Sequence, residues 1–304
     1  MMRALVTGAS GFVGKHLVEA LRRAGAEVFC CGGPRDGGDY FPVDMRDVTT
    51  LERALAAGRP AVVFHLAAQT FVPQALESPL ESYDVNAMGT ARLAEAVHRW
   101  GGAPRIVFTS TAEVYGPRDP SEYPLREHLA PRPINPYGAG KAAAEAMLRA
   151  AERSFGLDVV IARSFNHIGP GQGEHFAVAS FAAQLAGIAR GASPQLLVGD
   201  LAAARDFLDV RDVVDAYVAL ARDGERGEAY NVCSGRAVAM RDILRELIGL
   251  ARVPVEVRED PRRMRASETP LSVGDPSKLR DRTGWTPKVA LTQSLRDVYE
   301  SALQ

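Results

Sequence analysis

The sequence predicts an α/β fold, a doubly wound parallel sheet followed by a smaller C-terminal α/β region for substrate, and three observations predict it. Strand-like and helix-like stretches alternate from the first residues, as a parallel sheet covered on both faces requires. A glycine-rich turn, Gly8-Ala9-Ser10-Gly11-Phe12-Val13-Gly14, joins the first strand to the first helix. About 130 residues later, Tyr137-Gly138-Ala139-Gly140-Lys141 falls on a second helical stretch.

The first strand, Arg3–Thr7, is the apolar run Ala4-Leu5-Val6-Thr7. Glycines in the turn after it let a phosphate approach bare backbone N–H groups at the positive end of a helix read at 12–24. Further strands are read at 27–31, 61–66, 105–109 and 158–163, and further helices at 51–57 and 83–100. The helix Pro136–Phe155 begins with proline in its first turn and is rich in alanine, both favourable. Thr109-Ser110-Thr111 puts a hydroxyl cluster at the carboxyl end of a strand, where open α/β sheets build their sites. After Asn166 the alternation loosens, and Gly169-Pro170-Gly171-Gln172-Gly173 reads as a loop leaving the sheet.

On a helix, positions i and i+4 are neighbours. Lys141 is therefore expected beside the Tyr137 hydroxyl, favouring the phenolate over its reference pKa of about 10. Glycine turn and acid–cation pair together suggest a nicotinamide enzyme.

Composition excludes other classes. The chain has 304 residues, 46% hydrophobic, and a net charge of −1 with no long basic run, which argues against nucleic-acid and membrane-surface partners. No apolar stretch reaches the roughly 20 residues that span a bilayer, and Met1-Met2-Arg3 passes straight into a strand. A cytoplasmic protein is expected. Cys30, Cys31 and Cys233 match no zinc spacing and are read as buried. His65 is read as packed, His167 lacks partners at ligand spacing, and no metal is expected.

At these motifs the chain resembles the extended short-chain dehydrogenase/reductase superfamily of nucleotide-sugar epimerases, dehydratases and reductases. Further matches are His65-Leu66-Ala67-Ala68, Asn86 in Asp84-Val85-Asn86, Thr111-Ala112-Glu113-Val114-Tyr115-Gly116, Arg163-Ser164-Phe165-Asn166 and Arg205-Asp206-Phe207-Leu208-Asp209. The resemblance implies a Rossmann-type domain over 1–165 with returning segments at about 203–215 and 228–232. A nucleotide-sugar-binding domain would take 166–202 and 233–304. It assigns cofactor contacts to Gly8, Ser10, Gly11, Phe12, Val13, Gly14, Asp44, Met45, Leu66, Ala67, Ala68 and Thr109, with Tyr137 and Lys141. The second strand ends Cys30-Cys31-Gly32-Gly33-Pro34-Arg35 with no acid to hold an NAD ribose. Arg35 could pair with a 2′-phosphate, so NADP(H) is favoured, with NAD(H) as the alternative.

Tyr137 is assigned the proton transfer, Lys141 its tuning and Thr111 the hydrogen bond to the reacting oxygen. Similar dehydratases use the glutamate at the position of Glu113 as a base at C5. Thymidine-type dehydratases carry an aspartate between these two residues, where this chain has Ala112. Asn166-His167-Ile168-Gly169-Pro170-Gly171-Gln172 is similar to the reductase group acting on GDP-4-keto-6-deoxy-mannose. For substrate the resemblance implies Gln69, Ser110, Asn166, Phe176, Ser180, Arg205, Arg265 and Glu268, the arginines suiting a diphosphate. A reductase of a GDP-linked ketosugar is expected. A 4-epimerase or 4,6-dehydratase that recycles its cofactor is the first alternative, and a non-catalytic dinucleotide sensor the second. A homodimer through the helices at 83–100 and 136–155 is also implied, by analogy.

Overall fold

The computed structural model describes residues 2–32, 40–264 and 269–304. The first half runs β1 (Arg3–Thr7), α1 (Phe12–Arg23), β2 (Glu27–Gly32), β3 (Tyr40–Pro42), α2 (Val48–Gly58), β4 (Val62–His65), α3 (Val72–Glu77), α4 (Pro79–Tyr83), α5 (Gly89–Trp100), β5 (Arg105–Thr111), α6 (Pro136–Phe155) and β6 (Asp158–Ser164). The second half runs β7 (Asn166–Ile168), α7 (Ala177–Ala189), β8 (Gln195–Val198), β9 (Ala204–Asp209), α8 (Val210–Asp223), β10 (Ala229–Val232), β11 (Ala237–Ala239), α9 (Met240–Ala251), β12 (Glu256–Glu259), β13 (Leu271–Ser272), α10 (Ser277–Thr283) and α11 (Leu291–Leu303).

Seven parallel strands pair in the order β10-β6-β5-β4-β1-β2-β3. The chain winds outward from β1 to β3, then returns to β4 on the other side. Loops above β1 and β4 therefore diverge and leave a crevice at the carboxyl ends. Alternate side chains fill opposite faces. Ala4 and Val6 pack with Leu17, Leu21 and Tyr217, while Leu5 joins Val63, Leu93 and Leu148. Burial on both faces explains the continuous apolar strands.

A separate core gathers Phe181, Leu196, Phe207, Leu244 and Tyr299. Of the segment at about 203–215 expected to return to the large domain, Ala204–Asp209 pairs with β7, β11 and β13 in a small sheet. The return is made by α8, whose Val213, Tyr217 and Leu220 lie under the large sheet. Strand β10 does join that sheet's edge, beside β6.

The helix read at 83–100 is also interrupted. Between α4 and α5, Asp84–Met88 forms a π turn, a device that often marks functional sites. The buried Asn86 on this turn clasps the Gln69 main chain, Oδ1 accepting from its N–H at 2.8 Å and Nδ2 donating to its carbonyl at 2.9 Å. Helix α6 matches its sequence reading. Asn135 caps it by accepting from the Gly138 N–H, Pro136 fills the first turn, and Gly156 ends it at φ 73, a left-handed conformation that favours glycine.

Candidate active site

A cavity of about 570 Å³ extends along the crevice from the glycine turn to Tyr137 and Lys141. No side chain caps the start of α1, and Gly11, Phe12, Val13 and Gly14 line the cavity there. Gly8 has φ +68, and a Cβ on it would lie 2.8 Å from the Ala67 nitrogen. At Gly14 a Cβ would overlap the Gly8 carbonyl oxygen. Bare backbone at a helix N-terminus fits a dinucleotide pyrophosphate. Gly14→Ala should force this turn apart at about 1–3 kcal/mol of overpacking cost. A lowered melting temperature and weaker cofactor binding in titration calorimetry would show it.

Ser10, Met45, Leu66, Ala67, Ala68 and Thr109, expected from the sequence as cofactor contacts, also line this cavity. Beneath it runs a polar string. His65 is fully buried between Thr7 Oγ1, 2.8 Å from Nδ1, and Thr90 Oγ1, 2.9 Å from Nε2. Thr90 donates its own proton to the Asn86 carbonyl at 2.7 Å, so it must accept from His65, which assigns the Nε2–H tautomer. Burial, with the charge of Lys141 adding, lowers the His65 pKa to about 3 and keeps the ring neutral. His65 is a packed residue, as read.

At the reacting end, Tyr137 is the second residue of α6 and Thr111 the last of β5. Lys141 Nζ donates to the Thr109 carbonyl at 2.7 Å and lies 4.8 Å from the Phe108 ring centre. Burial, opposed by Glu145, brings its pKa down to about 7. The expected pull of Lys141 on Tyr137 is not what dominates. Burial lifts the phenol above its ordinary value; the hydrogen bond with Thr111 opposes this and the charge of Glu113 adds to it. Burial is the larger cause, and the Lys141 ammonium donates to the Thr109 carbonyl. Glu113 lines the cavity, and its Oε2 accepts from Asn135 Nδ2 at 2.8 Å.

A second cavity, of about 830 Å³, lies under α7 and shares Phe71, Val72, Glu113, Asn166, Gln172 and Phe176 with the first. Ser180 and Arg205 line it, as does Arg263, whose Nη1 donates to Ser180 Oγ at 3.0 Å. Phe176 packs edge-on against Phe71, with ring centres 6.4 Å apart. His167 stacks on Phe12 with planes 7° apart.

Several sequence-assigned residues carry other contacts. Ser110 lines the first cavity, and its hydroxyl donates to Glu145 at 2.6 Å inside a buried network. Gln69 lines neither cavity, and its amide nitrogen donates to the Phe71 carbonyl at 2.8 Å. Asp44 sits between the lining residues Val43 and Met45, yet its carboxylate pairs with Arg46. Arg35, Arg265 and Glu268 lie outside the described residues. Cys30, Cys31 and Cys233 are all buried, and burial lifts the Cys31 thiol to about 12.

The sequence profile of the GDP-mannose 4,6-dehydratase family matches residues 5–298. The chain belongs to this family. It thereby falls within the extended short-chain dehydrogenase/reductase superfamily that the motifs indicate, whose nucleotide-sugar enzymes use NAD(P). A GDP-6-deoxy-D-mannose reductase of Pseudomonas aeruginosa is 39% identical over 297 residues, 97% of this chain and 95% of the relative. The solved structure of RMD from Pseudomonas aeruginosa complexed with NADPH superposes with a TM-score of 0.91 at 38% identity, covering 100% of this chain and 99% of that one. The UDP-glucose 4-epimerase of Thermus thermophilus, in complex with NAD, superposes at 0.88 with 35% identity, covering 99% of both chains.

Within this family fold, Asn135, Gln172 and Arg263 border the second cavity without having been singled out as contacts. For Asn135 a signal was available: an asparagine before Pro136 is an N-cap pattern, two residues before Tyr137. Among the described residues no helix is long and apolar enough to cross a membrane.

Proposed function

We propose that the protein reduces the C4 ketone of a nucleotide-linked 4-keto-6-deoxy sugar, with GDP-4-keto-6-deoxy-mannose as substrate, GDP-6-deoxy-mannose as product and NADPH as the preferred reductant. The similarity to a GDP-6-deoxy-D-mannose reductase over 97% of the chain carries this reading. The placement of Tyr137 and Thr111 near the shared wall of two cavities supports it.

In this reading the first cavity holds the dinucleotide, with Gly8 to Gly14 around the pyrophosphate and Lys141 near the nicotinamide ribose. When bound, the cofactor supplies the hydride. Thr111 hydrogen-bonds the ketone oxygen, and Tyr137 donates its phenolic proton to that oxygen as charge develops there. Lys141, with its pKa lowered to about 7 by burial, lies one helical turn away and is placed to help restore the proton. In the second cavity, Arg205 and Arg263 suit the diphosphate, with Asn166 at the sugar. The similarity to the RMD structure complexed with NADPH supports NADPH as the reductant.

Reduction with NADPH deuterated on the transferred face should put one deuterium at C4 of the product and none elsewhere. Label retained in the protein-bound cofactor would favour the second reading, an epimerase or dehydratase that recycles it. Glu113 in the cleft is the observation that keeps that reading in view.

The homodimer belongs to the same proposal. Leu80, Met88, Met147 and Phe155 are 80%, 44%, 36% and 54% exposed on or beside α4, α5 and α6. A four-helix contact would cover such side chains, and sedimentation should report twice the chain mass.

A further inference from the structure

We infer that Ser164 holds the carboxamide oxygen of the nicotinamide through its hydroxyl, with Tyr217 as the positioning residue that aims that hydroxyl. The inference rests on the reading that the first cavity takes the dinucleotide, and it is the same for a reductase and for an enzyme that recycles its cofactor.

Ser164 ends β6, and Tyr217 reaches it from α8 under the large sheet. Their hydroxyl oxygens lie 2.6 Å apart, and the two residues are 7% and 2% exposed. Each hydroxyl carries one proton and offers two lone pairs. A single bond joins them, so one of the two protons is left without an acceptor among the described residues. Neighbouring hydroxyls are spent: Thr90 donates to the Asn86 carbonyl, Thr109 to the His65 carbonyl and Ser110 to Glu145. An unpaired O–H in the interior is costly and calls for a partner from outside the chain.

Chemistry decides which proton is spare. A phenol is a stronger acid than an aliphatic alcohol and the better donor, so Tyr217 donates to Ser164 Oγ and the serine proton turns to the cavity. Location decides what meets it. Both residues line the first cavity and neither lines the second, so the partner belongs to the dinucleotide and not to the sugar. In the sheet register Ser164 stands beside Thr111, at the end of the cavity away from the glycine turn that takes the pyrophosphate. The nicotinamide belongs at this end, its ribose is already given to Lys141, and its own acceptor is the carboxamide oxygen. A bond there fixes the rotation of the ring on its ribose, and with it the face turned to the sugar carbon.

Ser164→Ala should weaken NADP binding about three- to tenfold in titration calorimetry, the worth of one neutral hydrogen bond. The fragment 2′-phospho-ADP-ribose, which lacks the nicotinamide, should bind both proteins within about twofold. The acetylpyridine analogue of NADP keeps the C=O and lacks the amide N–H, and should lose as much to the substitution as NADP does. Tyr217→Phe should cost less than Ser164→Ala, and adding it to Ser164→Ala should change NADP affinity by less than about twofold. Unchanged NADP binding in Ser164→Ala would overturn the inference, as would equal losses for NADP and the fragment, or an acetylpyridine analogue indifferent to the substitution. A wild-type protein that binds neither dinucleotide nor fragment would instead remove the reading of the first cavity, and this inference with it.

Discussion

Replacing Tyr137 by Phe should lower the reductive kcat by about 10²- to 10⁴-fold, the usual contribution of a positioned proton donor. The substitution keeps the ring and removes one oxygen, so the packing of the first turn of α6 and the cap at Asn135 are retained. Cofactor contacts along the glycine turn and Lys141 are untouched, and the dissociation constant for NADPH should stay within about threefold of wild type, below 1 kcal/mol. Single-turnover kinetics would place the loss in the chemical step rather than in binding. Burial raises the Tyr137 phenol above its ordinary value and keeps it protonated, the state from which a donor must start. A variant that kept most of its rate would mean that the proton comes from another group.

Glu145→Ala should bring a large loss of stability, about 3–5 kcal/mol, because it leaves a buried guanidinium without its counter-charge. The side chains of Arg163 and Glu145 are 4% and 3% exposed, with Nη2 and Oε2 2.7 Å apart. Arg163 Nε donates to the same carboxylate at 3.0 Å, and Ser110 donates to it at 2.6 Å. From Arg163 the network continues to Tyr115 at 3.0 Å, and Tyr115 donates to Asn231 at 2.6 Å. One set of bonds thus joins β5, α6, β6 and β10 immediately below Thr111. Pairing Glu145→Leu with Arg163→Met should cost less than Glu145→Ala alone, since both charges then leave together. Urea unfolding measures both; a Glu145→Ala protein that lost under about 1 kcal/mol would contradict the account of this network.

The fold was legible where local signals and tertiary fate agree. Helix α6 carries its cap, proline and terminal glycine in the sequence, and both bounds were readable. The first strand and glycine turn were equally plain, because their spacing serves a backbone need that survives any packing. Legibility failed where side chains choose partners from distant elements. Ser110 lines the first cavity, but its donation to Glu145, on a helix 35 positions later, could not be read from the sequence. Gln69 and Asp44 are spent on near neighbours, and only coordinates show that geometry. The π turn at Asp84–Met88 depends on one extra residue in a helical register, which periodicity averages away. That Ala204–Asp209 pairs within the small sheet was not legible, because a sequence does not name the strand that its residues pair with. For Tyr137, helical spacing put Lys141 on the same helix one turn on, but neither the Lys141 bond to the Thr109 carbonyl nor the charge of Glu113 from another segment could be read that way.

The measurement that bears most directly on the proposed reaction is NADPH absorbance decay with purified protein and GDP-4-keto-6-deoxy-mannose, run beside NADH and the thymidine and uridine analogues. One NADPH consumed per GDP-sugar reduced, with slower or no consumption in the other arms, is the predicted result. No consumption with any ketosugar, together with a dinucleotide still bound to the unheated protein, would contradict it and mark an enzyme that recycles its cofactor.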